Sequence, residues 1–192
     1  MKRLILASNS PRRKELLAGL DIPFEVRVIS GIDETHPEGI DCYSLPEVLA
    51  QNKAKAYKDA IADDEVLLTA DTVVIVDNEV LEKPSSLDEA KQMLRRLSGR
   101  SHDVVTGVCI GIKEDLNHTH FSVLTEVRFK ELSDEEINYY VETYKPLDKA
   151  GAYGIQEWIG YVGVTGMDGS FYNVMGLPVQ RIYPELTKII NS

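Results

Sequence analysis

Three Ser-x-x-Glu pairs, Ser44 with Glu47, Ser86 with Glu89 and Ser133 with Glu136, set the rhythm of this chain. In such a pair the serine accepts from an early helical N–H while the glutamate reaches back to the cap, so each pair marks a helix start. The runs around them are short and rich in Val, Ile and Thr, the pattern of strands. Helices alternating with strands, some of them joined by hairpins, predict an α/β protein with a mixed sheet rather than a purely doubly wound one.

Along the chain, Lys2–Ala7 reads as a buried strand. Pro11 fits the first helical position after an N-cap at Ser10, giving a helix Pro11–Leu20 that ends near Gly19. Phe24–Ile29 alternates as a second strand, and a helix follows from Leu45 to about Ile61. Val66–Val76 and Glu79–Glu82 form a hairpin across Asp77-Asn78. The helix opened by Ser86 ends near Gly99. Asp103–Ile112 and Phe121–Phe129 make a long antiparallel pair. Ser133 opens a helix that Pro146 stops. Tyr161–Val164 is expected to pair with Phe171–Val174 across Met167–Ser170, and Pro178 opens the last helix.

Composition narrows the function. With 21 Lys plus Arg against 31 Asp plus Glu, the net charge of −10 argues against general nucleic-acid binding, which needs a broad basic field. An anionic partner must be small and met by local clusters such as Arg12-Arg13-Lys14. Two cysteines give no disulfide framework or metal-ligand spacing, and the four histidines show no zinc spacing. No apolar run approaches a membrane span. The expected setting is the cytoplasm.

Several places are candidates for chemistry. The turn Ser8-Asn9-Ser10-Pro11-Arg12-Arg13 joins a buried strand to a helix N-terminus, where amides, hydroxyls and guanidinium forks suit a phosphate; taken alone, it is equally a capped helix with two solvated arginines. Asp71 interrupts the apolar run Leu67–Ile75, a costly position unless the carboxylate is paired, binds a metal or acts as a base; the plainer alternative is an inward Asp bonded to nearby backbone. Lys53 reads by itself as part of a solvated helix face, Lys83 as a turn lysine that could meet a phosphate where its strand returns beside Asp71, and Glu34 as a loop acid that could join Asp71 around a metal. Finally, Asp148–Gln156 carries close-set glycines, and the Gln156 amide offers a donor and an acceptor that match a uracil or thymine edge; it is otherwise an irregular loop.

The order of Leu6–Arg13, Lys53-Ala54, Ala70–Val74, Lys83-Pro84, Leu97–His102, Thr106–Val108, Asp148–Gln156 and Gly176-Leu177-Pro178 resembles the Maf family across nearly the whole chain. The Asp148–Gln156 run is most similar to the branch that hydrolyses dTTP and UTP. The resemblance implies an elongated mixed β-sheet flanked by helices, like that of the inosine triphosphate pyrophosphatases, in a single domain over 1–192 with two lobes around a central cleft. It implies a nucleoside triphosphate pyrophosphatase that clears the nucleotide pool, a divalent metal (Mg or Mn) and a homodimer. The proton acceptor falls on Asp71, and substrate choice on Arg12, Thr72 and Gln156. Phosphate binding falls on Ser8, Ser10, Arg13, Lys53 and Lys83, and the metal on Asp71 and Glu34. One departure stands out: where many relatives carry Phe-Val and lysines, this chain has Tyr161-Val162-Gly163-Val164-Thr165-Gly166. The alternatives to weigh are a nucleotide-binding regulator of septum formation without turnover and a pyrophosphatase for modified purine triphosphates.

Overall fold

The structure, a computed structural model, describes residues 2–32, 35 and 38–191. In chain order the elements are β1 (Arg3–Leu6), α1 (Pro11–Ala18), β2 (Phe24–Val26), α2 (Leu45–Ala56), β3 (Glu65–Val76), β4 (Glu79–Leu81) and α3 (Leu87–Leu97). There follow β5 (Ser101–Ile112), β6 (Thr119–Phe129), α4 (Asp134–Tyr144), a 3-10 turn at Ala150–Ala152, α5 (Trp158–Gly163), β7 (Val164–Asp168), α6 (Phe171–Met175) and α7 (Val179–Ile190). The strands form one mixed sheet in the order β2-β1-β3-β5-β6-β7, with β4 added to β3. β1 is parallel to both β2 and β3, whereas β3–β4 and β6–β7 are antiparallel.

The chain divides into two compact units. The first comprises Met1–Asp71, Thr106–Val123 and Gly176–Ser192; the second comprises Thr72–Val105 and Leu124–Met175. In the first unit, Ile5 and Leu67 from the sheet pack with Ala50 and Ala54 of α2 and with Tyr57, Ile61 and Cys109. The small residues on α2 let helix and sheet backbones approach closely. Gly107 of β5 marks one such close approach: a Cβ there would lie 2.2 Å from both Pro46 C and Glu47 N. In the second unit α3 packs on α4, with Ala90, Met93, Leu94 and Leu97 buried from one and Ile137, Tyr140 and Val141 from the other.

Most expected elements are present, and the turn chemistry explains them. Asp77 and Asn78 both adopt positive φ (55° and 60°), the conformation that a two-residue hairpin turn requires. The three serine–glutamate pairs differ, however. Only Ser133 and Glu136 form a complete capping box. Ser86 accepts from Glu89 N, but the Glu89 carboxylate bonds to Ser85 instead. Ser44 caps nothing through its side chain: its backbone is already helical (φ −86°, ψ −21°), and its hydroxyl donates to Asp41. Glu47 turns away to accept from His120 (2.6 Å) and Ser122 (3.2 Å).

Two boundaries and one strand pairing are corrected. The second strand is only Phe24–Val26. The helix expected to reach Ile61 stops at Ala56 because the next residue, Tyr57, is buried and tied to another segment. Its hydroxyl donates to Arg27 O (2.9 Å) and accepts from Ile29 N (3.3 Å). The expected pairing of Tyr161–Val164 with Phe171–Val174 is wrong. Tyr161 to Gly163 belong to α5, the strand starts at Val164 and pairs with β6, and Phe171–Val174 is helical. Asn173 decides the last point, since its Nδ2 bonds Val104 O and Thr125 Oγ1 and so fixes a helical turn against β5 and β6.

Candidate active site

The site in the first unit grows from the parallel pair β1–β3. Leu4, Ile5 and Leu6 are buried opposite Val66, Leu67 and Leu68, and Ala7 N still donates to Leu68 O at 2.9 Å. The chain then leaves the sheet and enters α1. Ser8 Oγ accepts from Ser10 N (3.2 Å), and Ser10 Oγ accepts from Arg13 N (3.4 Å), so the two serines shape the turn and cap the helix. The first turn of α1 carries no acidic residue that would oppose an anion at this helix end. Arg13 reaches back to the sheet. Its Nη1 donates to Ala70 O and its Nε to Gly176 O, each at 2.8 Å. The arginine therefore clamps the peptide just before Asp71 to the turn before α7. Burial draws the Arg13 pKa down, and the nearby Asp71 carboxylate opposes that shift.

Asp71 is placed by register. Side chains two apart on a strand share a face, so Asp71 points to the same side of β3 as Thr69. The buried Thr69 hydroxyl donates to Ala50 O of α2 at 2.7 Å. One helical turn further along α2, Lys53 Nζ meets Asp71 Oδ1 at 2.5 Å. Strand step and helical turn thus advance together and bring a cation to the acid. Both side chains remain partly open to solvent, Lys53 at 16% and Asp71 at 19%. Asp71 is therefore a paired carboxylate with access to a ligand, not an acid sealed in the core.

Among the described residues no group of three or more His, Cys, Asp or Glu forms a ready metal cage. Glu34, expected beside Asp71, lies outside the described residues. A single accessible carboxylate nevertheless fits a magnesium-type ion, which is usually held by one or two carboxylates together with substrate phosphates and water.

A family model described as Maf-like protein matches residues 3–189. The chain belongs to the Maf-like protein family. It is 58% identical over 184 residues to a dTTP/UTP pyrophosphatase of Parabacteroides distasonis, covering 96% of this chain and 94% of the relative. It is 54% identical over 190 residues to a dTTP/UTP pyrophosphatase of Phocaeicola vulgatus, covering 97% and 96%. Among solved structures, a HAM1 protein from Coxiella burnetii covers 98% of this chain and 100% of its own at a TM-score of 0.50. At 13% identity that likeness is one of fold.

The second unit of this Maf-like protein holds the remaining expected residues. Thr72 follows Asp71 on β3 and faces the other side of the strand. Lys83 is exposed just after β4, with the buried Pro84 next to it. Gln156 is exposed on a loop whose neighbours Tyr153, Gly154 and Ile155 are all buried. Gly151 sits at φ +66°, where a Cβ would come within 3.0 Å of Val74 side-chain atoms, and its N–H bonds Glu82 O at 3.3 Å. The glycine thus allows the loop to lie directly on the β3–β4 hairpin. His102 Nε2 and Tyr153 Oη are 2.7 Å apart, with Phe129 packed edge-on to both rings. Desolvation lowers the His102 pKa to about 4, so this imidazole is neutral near pH 7.

The sequence marks Arg13 as a phosphate ligand but carries no local sign of its clamp on Ala70 and Gly176. Nor does the spacing of Lys53 and Asp71 along the chain show that they pair. The small residues Ala50 and Ala54 flanking Lys53 were the available sign that this face of α2 lies against the sheet.

Proposed function

We propose that this chain hydrolyses dTTP and UTP to the nucleoside monophosphate and pyrophosphate. The Lys53–Asp71 pair carries the reading: an accessible carboxylate on a central strand, held at 2.5 Å by a lysine, beside a helix N-terminus without acidic residues. The names of the relatives at 58% and 54% identity support the same activity and the same bases.

In this reading Ser8, Ser10, Arg12, Arg13, Lys53 and Lys83 are the groups that receive the triphosphate and spread the charge developing on its oxygens. A magnesium or manganese ion held by Asp71 and Glu34 would neutralise phosphate charge and acidify the attacking water. Asp71 orients that water and accepts its proton. The water oxygen bonds to the α-phosphorus, the bridging α–β phosphoanhydride bond breaks, and pyrophosphate leaves with the electron pair. Lys53 fixes one oxygen of Asp71, leaving the carboxylate edge oriented before substrate arrives. Arg12, Thr72 and Gln156 set base choice, with the Gln156 amide pairing with a uracil or thymine edge. A pocket built on such pairing rejects a mismatched base because its own polar groups then go unpaired.

A panel of nucleoside triphosphates with Mg²⁺ or Mn²⁺, run in ¹⁸O-labelled water, tests this reading. Turnover should favour dTTP and UTP, release pyrophosphate and place the label in the monophosphate. Label in the pyrophosphate, release of orthophosphate, or equal rates on ATP and UTP would overturn it. Binding without any turnover would favour the regulator instead.

A further inference from the structure

The loop before Gln156 is held by more polar chemistry than packing requires. Tyr140 of α4 is fully buried, yet its hydroxyl accepts from Gly154 N at 3.0 Å and donates to the Glu157 carboxylate. Desolvation, with Glu157 adding to it, raises the Tyr140 pKa, so the phenol stays a donor at neutral pH. The other oxygen of Glu157 meets Lys149 Nζ at 3.0 Å, and the same ammonium lies 2.9 Å from Asp148. The Lys149 side chain is only 11% exposed. An ion pair between residues 149 and 157 closes the loop at its ends, and Tyr140 ties its middle and its far end to α4. Gly154 makes the closure possible, since a Cβ there would sit 2.9 Å from Lys149 Cε and 3.0 Å from Glu157 Cδ.

A phenylalanine would fill the Tyr140 position equally well, and buried polar groups cost free energy unless every one is satisfied. What the polar tie adds is a fixed backbone on both sides of one exposed residue, Gln156. We infer that Tyr140, Glu157 and Lys149 form a positioning device that sets where the Gln156 amide meets the pyrimidine base. This rests on the proposed reading of Gln156 as the base-contacting residue. Uracil presents a carbonyl acceptor and an N–H donor, whereas cytosine presents an amino donor and a bare nitrogen. Telling them apart requires the amide to be held to about half an ångström. A loop fixed at only one end does not hold it so.

The test compares kcat/KM on UTP with that on CTP for Tyr140→Phe, Lys149→Met, Gln156→Ala and the double variant Tyr140→Phe/Gln156→Ala. Tyr140→Phe keeps the ring and removes both hydrogen bonds, and circular dichroism checks that it folds. Discrimination should fall about tenfold in Tyr140→Phe and in Lys149→Met, through a raised KM for UTP. The double variant should discriminate no worse than Gln156→Ala, because the tie acts only through that side chain. If Gln156→Ala loses discrimination while both Tyr140→Phe and Lys149→Met stay within about twofold of wild type, the positioning device is refuted and Gln156 stands as base reader. If Gln156→Ala discriminates like wild type, both are overturned.

Discussion

Arg13→Lys tests whether that arginine builds the site or merely touches substrate. The guanidinium makes two charge-assisted hydrogen bonds at 2.8 Å, to Ala70 O and Gly176 O, through nitrogens held in one plane. Lysine keeps the charge but offers a single point donor and can serve only one of the two carbonyls. A hydrogen bond to a charged donor contributes about 1.5–3 kcal/mol, and partial solvent access compensates some of the loss, so the nucleotide-free protein should lose about 1–2 kcal/mol. For a chain of this size that lowers Tm by roughly 2–8 °C. Because Ala70 immediately precedes Asp71, turnover at saturating substrate should fall as well. Differential scanning fluorimetry without nucleotide and steady-state pyrophosphate release measure the two effects. An unchanged nucleotide-free Tm together with a raised KM and normal kcat would refute the clamp and leave Arg13 a phosphate ligand alone.

Two further outcomes follow from buried groups. The His102 pKa is lowered from 6.5 to about 4, so the unfolded chain takes up the proton first as pH falls. Stability is therefore complete above pH 6.5, declines as pH drops toward 4 and loses roughly 3 kcal/mol from this group by the lower limit. Urea titrations across that range should show the slope, and His102→Gln should flatten it; an equal slope in both proteins would count against the burial argument. Gly107→Ala should destabilise the fold by several kcal/mol or abolish soluble expression, because its Cβ would fall 2.2 Å from the backbone of Pro46 and Glu47. A Tm close to wild type would show that α2 can move off β5 at little cost.

Much of the fold was legible because its signals are local. Pro11 after Ser10, the Asp77-Asn78 turn and the Ser133–Glu136 box each act within four residues, and each appears as expected. The failures share a cause of longer range. Tyr161-Val162 resembles strand by composition, but β7 pairs with β6, and the Asn173 bonds to Val104 and Thr125 make Phe171–Met175 helical. Ser44-x-x-Glu47 has the letters of a capping box, but His120 and Ser122 draw the glutamate away. In the site, Asp71 was conspicuous because an acid in an apolar run is expensive. Its pairing with Lys53 was not, since it depends on the phase of α2 over β3, which the Thr69–Ala50 bond fixes only in three dimensions.

The most direct measurement is pyrophosphate release from UTP by Asp71→Asn, alongside circular dichroism and Tm of the same preparation. Asparagine keeps the shape of the side chain but can neither take a proton nor balance Lys53. The account predicts a folded protein whose kcat has fallen by a factor of about 10³ or more, in line with the loss of a general base that also supports the metal. A folded Asp71→Asn protein that turns UTP over within about tenfold of wild type would contradict it, placing the chemistry on some other group.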